Sequence, residues 1–243
     1  MLPVLFESPY FILYAYPLFM GLAWGVGFYL TRYVFENHNL NIKPLPTLFG
    51  GLFLSSWIGA KVFFLVVSSQ HKVYQYIYAD SFWLGGGFVF YGGLIFGLAF
   101  YFIYSVWLKK FPFKESKYLV PGLVFGHGIG RVGCFFTGCC YGIQCDLPWA
   151  VKMHGEWIHP VQLYEAFGLF LIGYLVMKWI AQKKENFYIV SHYLLYYSLL
   201  RFFVEFFRGD IIRGVYWFSL STSQIISLAL FVIILTIKIK KKA

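Results

Sequence analysis

Residues 126–142 read GHGIGRVGCFFTGCCYG, and they join an apolar, glycine-rich run to a histidine, an arginine and three cysteines. In a bilayer, one arginine side chain costs about 2.5–3.5 kcal/mol on insertion scales. Because that cost must be offset, Arg131 requires a partner from another part of the chain. We therefore expect an active or binding site around Arg131.

The composition is typical of an integral membrane protein. Of the 243 residues, 60% are hydrophobic and 12% are charged, whereas soluble domains have about 25% charged residues. The 20 tyrosines and eight tryptophans suit two interfacial belts. A net charge of +10 would suggest a nucleic-acid partner in a soluble protein. Here the positive-inside rule accounts for it, and we predict no nucleic-acid partner.

Seven stretches have the length and hydrophobicity of spanning helices, each needing about 20 apolar residues. They cover residues 11–32, 48–69, 85–108, 118–136, 161–181, 188–207 and 217–237. No long linker or soluble domain separates them. The predicted fold is all-α, a single polytopic membrane domain over residues 1–243.

The orientation follows from the lysines and arginines between the spans. Connections after spans one, three, five and seven hold thirteen of them, and the other side holds four. Cytoplasmic connections carry the excess of positive charge. The sequence therefore predicts an N-terminus outside and a C-terminus in the cytoplasm.

The fourth span has two kinds of spacing. Gly122, Gly126 and Gly130 recur every four residues, a pattern typical of close helix packing. His127, Arg131 and Cys134 follow at i, i+4 and i+7, so they share one helix face. The planar fork of an arginine matches phosphate through two hydrogen bonds.

The sixth span ends in a polar stripe of Tyr197, Arg201, Glu205 and Arg208. Arg201 and Glu205 are four residues apart and can pair directly. One interpretation is an ion pair that holds the helices together. The other is a functional site, because ionisable groups within a membrane are functional candidates by default.

The fifth span begins with Pro160, which suits the first turn of a helix. Gln162 and Glu165 follow three residues apart on one face, and Glu165 should have a partner. With the arginines of spans four and six, these side chains predict a cavity for an anionic phospholipid headgroup.

These motifs resemble those of the prolipoprotein diacylglyceryl transferase family, in the same order along most of the chain. The matching segments are Tyr16 to Leu18, Gly59 to Lys61, Phe90 to Gly97, Gly130 to Gly133 with Gly142, His159 to Glu165, Tyr197 to Arg208 and Ser221 to Gln224. The resemblance implies a seven-span enzyme that moves a diacylglyceryl group from phosphatidylglycerol to a lipobox cysteine thiol, with release of glycerol phosphate.

At four positions the sequence departs from the family pattern. Tyr91 stands where the family has a histidine proposed as a base, and Lys61 replaces an arginine. Cys134 and Cys139 replace the signature asparagine and glutamate. His127, one turn before the signature arginine, is a candidate replacement for the missing base.

The resemblance and the spacing together give two sets of candidate residues. The candidate catalytic residues are Arg131, Arg201, Glu205, Tyr91, His127, Cys134 and Cys139. The candidate substrate-binding residues are Arg131, Tyr16, Lys61, Gly142, Gln162, Glu165 and Tyr197. We predict no metal ligands and no cofactor. The expected partners are phosphatidylglycerol or another anionic phospholipid and the lipobox peptide of a preprolipoprotein, at the bacterial cytoplasmic (inner) membrane.

Other functions remain open from the sequence. The same fold could carry thiol redox, acyl-thioester or soft-metal chemistry at Cys134, Cys139 and Cys140, with or without Cys145. Their spacing lacks the paired Cys-x2-Cys of zinc sites, and cysteines also serve as small apolar residues. A lipid-binding or transport protein is a further alternative, although no repeated pair of broken helices supports it.

Overall fold

The computed structural model describes residues 4–8, 12–67, 89–210 and 220–242. This part of the chain is mostly helical. Its α-helices are α1 (Ala15–Asn37), α2 (Leu45–Val67), α3 (Phe90–Phe102), α4 (Val120–Thr137), α5 (Val161–Ala181), α6 (Asn186–Val204) and α7 (Thr222–Lys242). A π-helical turn, Ile103–Trp107, extends α3, and the 3-10 turns Phe113–Tyr118 and Glu205–Phe207 precede α4 and follow α6.

Within the described ranges, six helical segments are long and apolar enough to cross a membrane. They are Ala15–Asn37, Leu45–Val66, Phe90–Trp107, Val161–Ala181, Asn186–Phe207 and Thr222–Lys241. Each overlaps one of the predicted spans. The fourth predicted span is the 18-residue α4, whose His127, Arg131 and five glycines lower its hydropathy. Parts of the first, second, third and seventh predicted spans lie outside the described residues.

Two short hairpins add β-structure that the all-α prediction lacked. Strand β1 (Val4–Glu7) pairs with β2 (Ile12–Tyr14), so the first helix begins later than predicted. Strand β3 (Val151–Met153) pairs with β4 (Glu156–Ile158) across His154 and Gly155. Both of these turn residues have positive φ, at 54° and 89°, which suits the tight turn of a two-residue hairpin.

The helices form two compact units, Met1–Thr31 with Ser116–Ala243, and Arg32–Glu115. In the first, small residues let α1 and α4 approach closely. Gly122 lies against the Gly27 carbonyl and the Thr31 hydroxyl, where a Cβ has no room. Gly126 lies against the backbone of Ala23. The predicted packing role holds for these two glycines, whereas the space beside Gly130 is open.

In the second unit, α2 and α3 pack through glycines and aromatic rings. Gly59 and Gly92 each lie against the other's carbonyl, so neither position has room for a Cβ. Phe63 and Phe96 flank this crossing edge to face, with ring centroids 6.5 Å apart. The glycine spacing therefore fixes how closely the two helices pack.

Candidate active site

The buried carboxylate of Glu165 is the centre of the first unit's polar interior. Glu165 lies one turn into α5, where only 2% of its surface is exposed. The Arg131 Nη2 of α4 lies 3.1 Å from its Oε1, and the Arg201 Nη1 of α6 lies 3.3 Å from its Oε2. Glu165 therefore pairs with both arginines, and the partner required by Arg131 comes from another helix.

A second carboxylate continues the network toward the end of α6. Arg201 Nη2 lies 2.6 Å from Glu205 Oε2, which confirms the predicted pair, and also donates to the Ser223 hydroxyl at 3.1 Å. Arg208 lies 3.7 Å from Glu205 and donates two hydrogen bonds to Asp210, at 2.8 and 2.6 Å. Three arginines thus alternate with three carboxylates. We call Arg131, Glu165, Arg201, Glu205, Arg208 and Asp210 the charged cluster.

Arg208 lies just beyond the α6 span and remains a cation. Burial alone would lower the pKa of its guanidinium. The hydrogen bonds to Asp210 and the charges of Cys140, Asp210 and Glu205 raise that pKa above its ordinary value. The charged cluster therefore keeps its third positive charge at the end next to the loop.

Two ring side chains approach Glu165 as well. The Tyr197 hydroxyl donates to Glu165 Oε1 at 3.4 Å. The His127 Nε2 lies 3.9 Å from the same oxygen, beyond hydrogen-bond distance, and its ring is 5.3 Å from that of Tyr197. These predicted site residues from α4 and α6 therefore meet at one carboxylate.

The loop between α4 and α5 is tied to the charged cluster through Gly142. Gly142 pairs with Arg208 as an antiparallel bridge. The Ile143 N–H donates to the Phe207 carbonyl, and the Gly209 N–H to the Tyr141 carbonyl, both at 2.9 Å. A Cβ at Gly142 would collide with the backbone of His159. Only glycine fits where these backbone segments approach one another.

Gln162 connects the start of α5 to the cysteines. Its Nε2 donates to the Cys139 carbonyl at 2.7 Å and approaches the sulfur of Met153 at 3.9 Å. The side chain is almost fully buried, at 1% exposure. The loop also lines an open cavity of about 390 Å³ beside Met153. Its lining is Tyr141, Gly142, Ile143, Gln144, Met153, His154, Glu156, Ile158 and Gly209.

Three of the four cysteines gather at the C-terminal end of α4. The sulfur atoms of Cys134, Cys139 and Cys140 all lie within 4.8 Å of one another, and all three are free thiols. We call these residues the cysteine cluster. Hydrogen bonds from the Cys134 and Cys139 thiols, and the charges of Arg208 and Arg131, lower the pKa of the Cys140 thiol. The lowered pKa favours the thiolate form of Cys140 beside these arginines.

The remaining candidate residues divide between the two units. The Tyr16 phenol, at the start of α1, interacts electrostatically with Arg131 and all three clustered cysteines. Lys61 and Tyr91 belong to the second unit, on α2 and α3. Lys61 is buried beside the Trp57 ring, and Tyr91 is 41% exposed. Their part in the site stays a prediction.

Comparison with known proteins agrees with the resemblance seen in the motifs. A family model described as prolipoprotein diacylglyceryl transferase matches residues 3–239. This chain belongs to that family. The predicted membership is confirmed, and with it the predicted class of enzyme, a transferase.

Three relatives in the family carry closely similar names. The phosphatidylglycerol--prolipoprotein diacylglyceryl transferase of Finegoldia magna is 38% identical over 165 residues, which cover 65% of this chain and 64% of the relative. The enzyme of the same name from Clostridium tetani is 31% identical over 247 residues, or 96% and 95% of the two chains. An enzyme numbered 2 from Clostridium perfringens is 30% identical, over 74% and 72%.

The structure adds two residues that were in neither the candidate sets nor the polar stripe of α6. Ser223 contacts Arg201, and its signal was present in the segment Ser221 to Gln224, which resembles a family motif. Asp210 holds Arg208 and lies two residues beyond the polar stripe of α6. Its only signal was this proximity, because the spacing does not show that the Asp210 side chain contacts Arg208.

Proposed function

We propose that this chain transfers a diacylglyceryl group from phosphatidylglycerol to the cysteine thiol of a preprolipoprotein lipobox. A carbon–sulfur bond forms while the carbon–oxygen bond to the phosphate breaks. The thiol proton passes to a base, and glycerol phosphate leaves with the bonding electron pair. The names of the relatives, which specify this donor and acceptor, support the proposal.

The observation that carries the proposal is the meeting of Arg131 and Arg201 at one buried carboxylate. Negative charge grows on the leaving phosphate oxygen, and preorganised guanidinium donors stabilise such charge. Within the described residues, the Arg131 Nε is buried without a hydrogen-bond partner. A phosphate oxygen would satisfy this donor, since buried polar groups are nearly always paired.

The carboxylates have a positioning role in this proposal. Glu165 and Glu205 hold Arg201 from two sides, at 3.3 and 2.6 Å, which restricts the orientation of its guanidinium. Tyr197 and Gln162 support Glu165 and the adjoining loop. The arginines are thereby oriented before the lipid arrives, and little reorganisation is needed in the transition state.

The base takes the proton of the acceptor thiol. We assign proton transfer to His127, because its imidazole Nε2 lies beside the charged cluster, 3.9 Å from Glu165 Oε1. A neutral imidazole has one ring nitrogen that can accept a proton. The alternative base is Tyr91, at the family's histidine position.

We also propose that the chain crosses the bacterial cytoplasmic membrane seven times, with α4 as the fourth crossing. An odd number of crossings places the termini on opposite sides, and the positive-inside rule then assigns the lysine-rich end of α7 to the cytoplasm and the N-terminus to the outside. Lys238, Lys240 and Lys241 lie in the last turns of α7, as expected for anchoring to the inner surface. Reporter fusions after Lys184 and Lys242 would both be cytoplasmic, and a fusion at Trp149 external.

A complementation experiment tests the reaction. The chain is expressed in bacteria depleted of their own transferase, and the mass of a reporter lipoprotein is measured. We expect the diacylglyceryl mass increase with the unaltered chain and its loss with Arg131→Ala and Arg201→Ala. Arg32→Ala is the matched control, because Arg32 forms an exposed pair with Glu36.

Two further arms make the result decisive. Purified chain is mixed with a lipobox peptide and vesicles of either phosphatidylglycerol or phosphatidylethanolamine, and glycerol phosphate release is measured. Transfer from phosphatidylglycerol alone supports the proposal. Full activity of both arginine variants would exclude the phosphate site. An unaltered rate in His127→Gln, combined with a loss in Tyr91→Phe, would move the base to Tyr91.

A further inference from the structure

The cysteine cluster has the geometry of a small metal-binding site. Three sulfur atoms within 4.8 Å of one another need only a modest contraction to share an ion. A metal–sulfur bond of about 2.3 Å places three ligand sulfurs about 4 Å apart. The cluster is therefore already within about 1 Å of ligand spacing.

The backbone brings the three thiols together by reversing at the end of α4. Gly138 adopts a left-handed conformation, with φ of 76°, and its N–H returns to the carbonyls of Cys134 and Phe135. Cys140 is also left-handed, with φ of 57°, which is uncommon for a residue with a side chain. The Cys139 N–H donates to the Cys134 carbonyl at 3.2 Å. The reversal therefore folds the loop back over Cys134.

We propose that Cys134, Cys139 and Cys140 bind one soft, thiophilic metal ion of the Cu(I) type. Soft thiolate ligands select Cu(I). Among the described residues, the side chains that are close enough here to share a metal ion are these three thiols, without a histidine or a carboxylate. Three sulfur ligands suit Cu(I), whereas structural zinc sites have four ligands.

Charge complementarity supports an anionic metal–thiolate complex at this place. Three thiols release three protons to solvent and bind one monovalent ion, which leaves a net charge of −2 and oxidises nothing. The positive charges of Arg208 and Arg131 act on Cys140. Arg131 is also three residues before Cys134 on α4. These cations offset the complex in a region where uncompensated charge is expensive.

Competition with a Cu(I) chelator tests the inference. The reduced protein in detergent is titrated without oxygen against the Cu(I)–bicinchoninate complex, and loss of the chelate colour is measured. We expect one Cu(I) per chain and a thiolate-to-copper absorption band in the ultraviolet. Each of Cys134→Ser, Cys139→Ser and Cys140→Ser should weaken binding by at least about 100-fold.

Cys145→Ser is the matched control. Cys145 lies in the same loop, where its N–H donates to the Trp157 carbonyl, and its sulfur is not in the cluster. We expect this variant to bind Cu(I) as the unaltered chain does. Size-exclusion elution shows whether each variant stays folded. Equal binding by the unaltered chain and the triple serine variant would overturn the inference.

A thiol titration separates metal binding from a redox role. If fresh protein lacks two reactive thiols that a reductant restores, and the reduced protein binds no Cu(I), the cluster is a disulfide pair and the inference is wrong. The titrations contain neither lipid nor peptide. Failure of the proposed transferase activity would therefore leave the metal result unchanged, and the reverse also holds.

Discussion

The charged cluster and the cysteine cluster share α4 but differ in how strictly their side chains depend on one another. Glu165, Arg201 and Glu205 are each less than 10% exposed and pair across two helices. The cysteines lie at the helix end, where Cys139 is exposed and all three thiols are free. The charged cluster is therefore a buried network of ion pairs, whereas the cysteine cluster has accessible thiol groups.

This difference shows which parts of the site can change without loss of the fold. A buried charge that loses its partner is strongly destabilising, so the members of the charged cluster depend on one another. Thiols tolerate both burial and exposure, because a cysteine also packs as a small hydrophobic residue. We therefore expect substitutions to be tolerated more readily in the cysteine cluster than in the charged cluster.

The largest expected effect comes from removing the centre of the charged cluster. Glu165→Ala leaves Arg131 and Arg201 buried without their shared carboxylate, and should cost about 3–5 kcal/mol of stability. Thermal unfolding in detergent measures this, together with the recovery of monodisperse protein. Glu36→Ala removes the exposed pair with Arg32 and should cost less than about 1 kcal/mol. Similar losses of stability in both variants would contradict the difference between the buried and the exposed ion pairs.

The second effect concerns the reactivity of Cys140 in reduced, chelator-treated protein. Its lowered pKa favours the thiolate below the ordinary thiol pKa, so alkylation by iodoacetamide should slow less between pH 9 and pH 6 than that of an ordinary thiol. Alkylation of a cysteine in a small peptide slows by about 200-fold over this range, because its thiolate is lost. Mass spectrometry of the Cys140 peptide measures the rates. An equal decline in the alkylation rates of Cys140 and of the peptide cysteine would contradict the lowered pKa of Cys140.

The third effect probes the connection between the clusters. Gly142→Ala places a Cβ against the His159 and Phe207 backbone and should cost about 1–3 kcal/mol through overpacking. It should also loosen the bridge that Gly142 makes with Arg208. Gly25→Ala is the control, since nothing lies within 4 Å of a Cβ there. Equal unfolding temperatures for the two variants would contradict the close packing of Gly142 against the backbone of His159 and Phe207.

The smallest effect comes from one hydrogen bond at the centre of the charged cluster. Tyr197→Phe removes the donor to Glu165 and leaves its arginine partners in place. The free energy of unfolding should fall by about 0.5–1.5 kcal/mol. Denaturation monitored by tryptophan fluorescence measures it. A loss as large as that of Glu165→Ala would mean that Tyr197, rather than the arginines, stabilises the carboxylate.

Much of the fold and of the charged cluster could be predicted because the signals are local. The fifth span was predicted at 161–181, and α5 covers Val161–Ala181, since Pro160 marks its start and its apolar run is continuous. The Arg201–Glu205 pair follows from one helical turn of spacing. The two hairpins were missed because short pairings between loop segments have no helical period.

The sequence by itself determined that this is a membrane chain of the transferase family, that Arg131 needs a partner and that the cysteines lie close together along the chain. Only the tertiary structure decided that Glu165 serves both Arg131 and Arg201, and that Cys139 and Cys140 turn back onto Cys134. Spacing fixes neighbours on one helix. Partners on different helices depend on how the helices pack, and the return of the loop depends on left-handed backbone at Gly138 and Cys140.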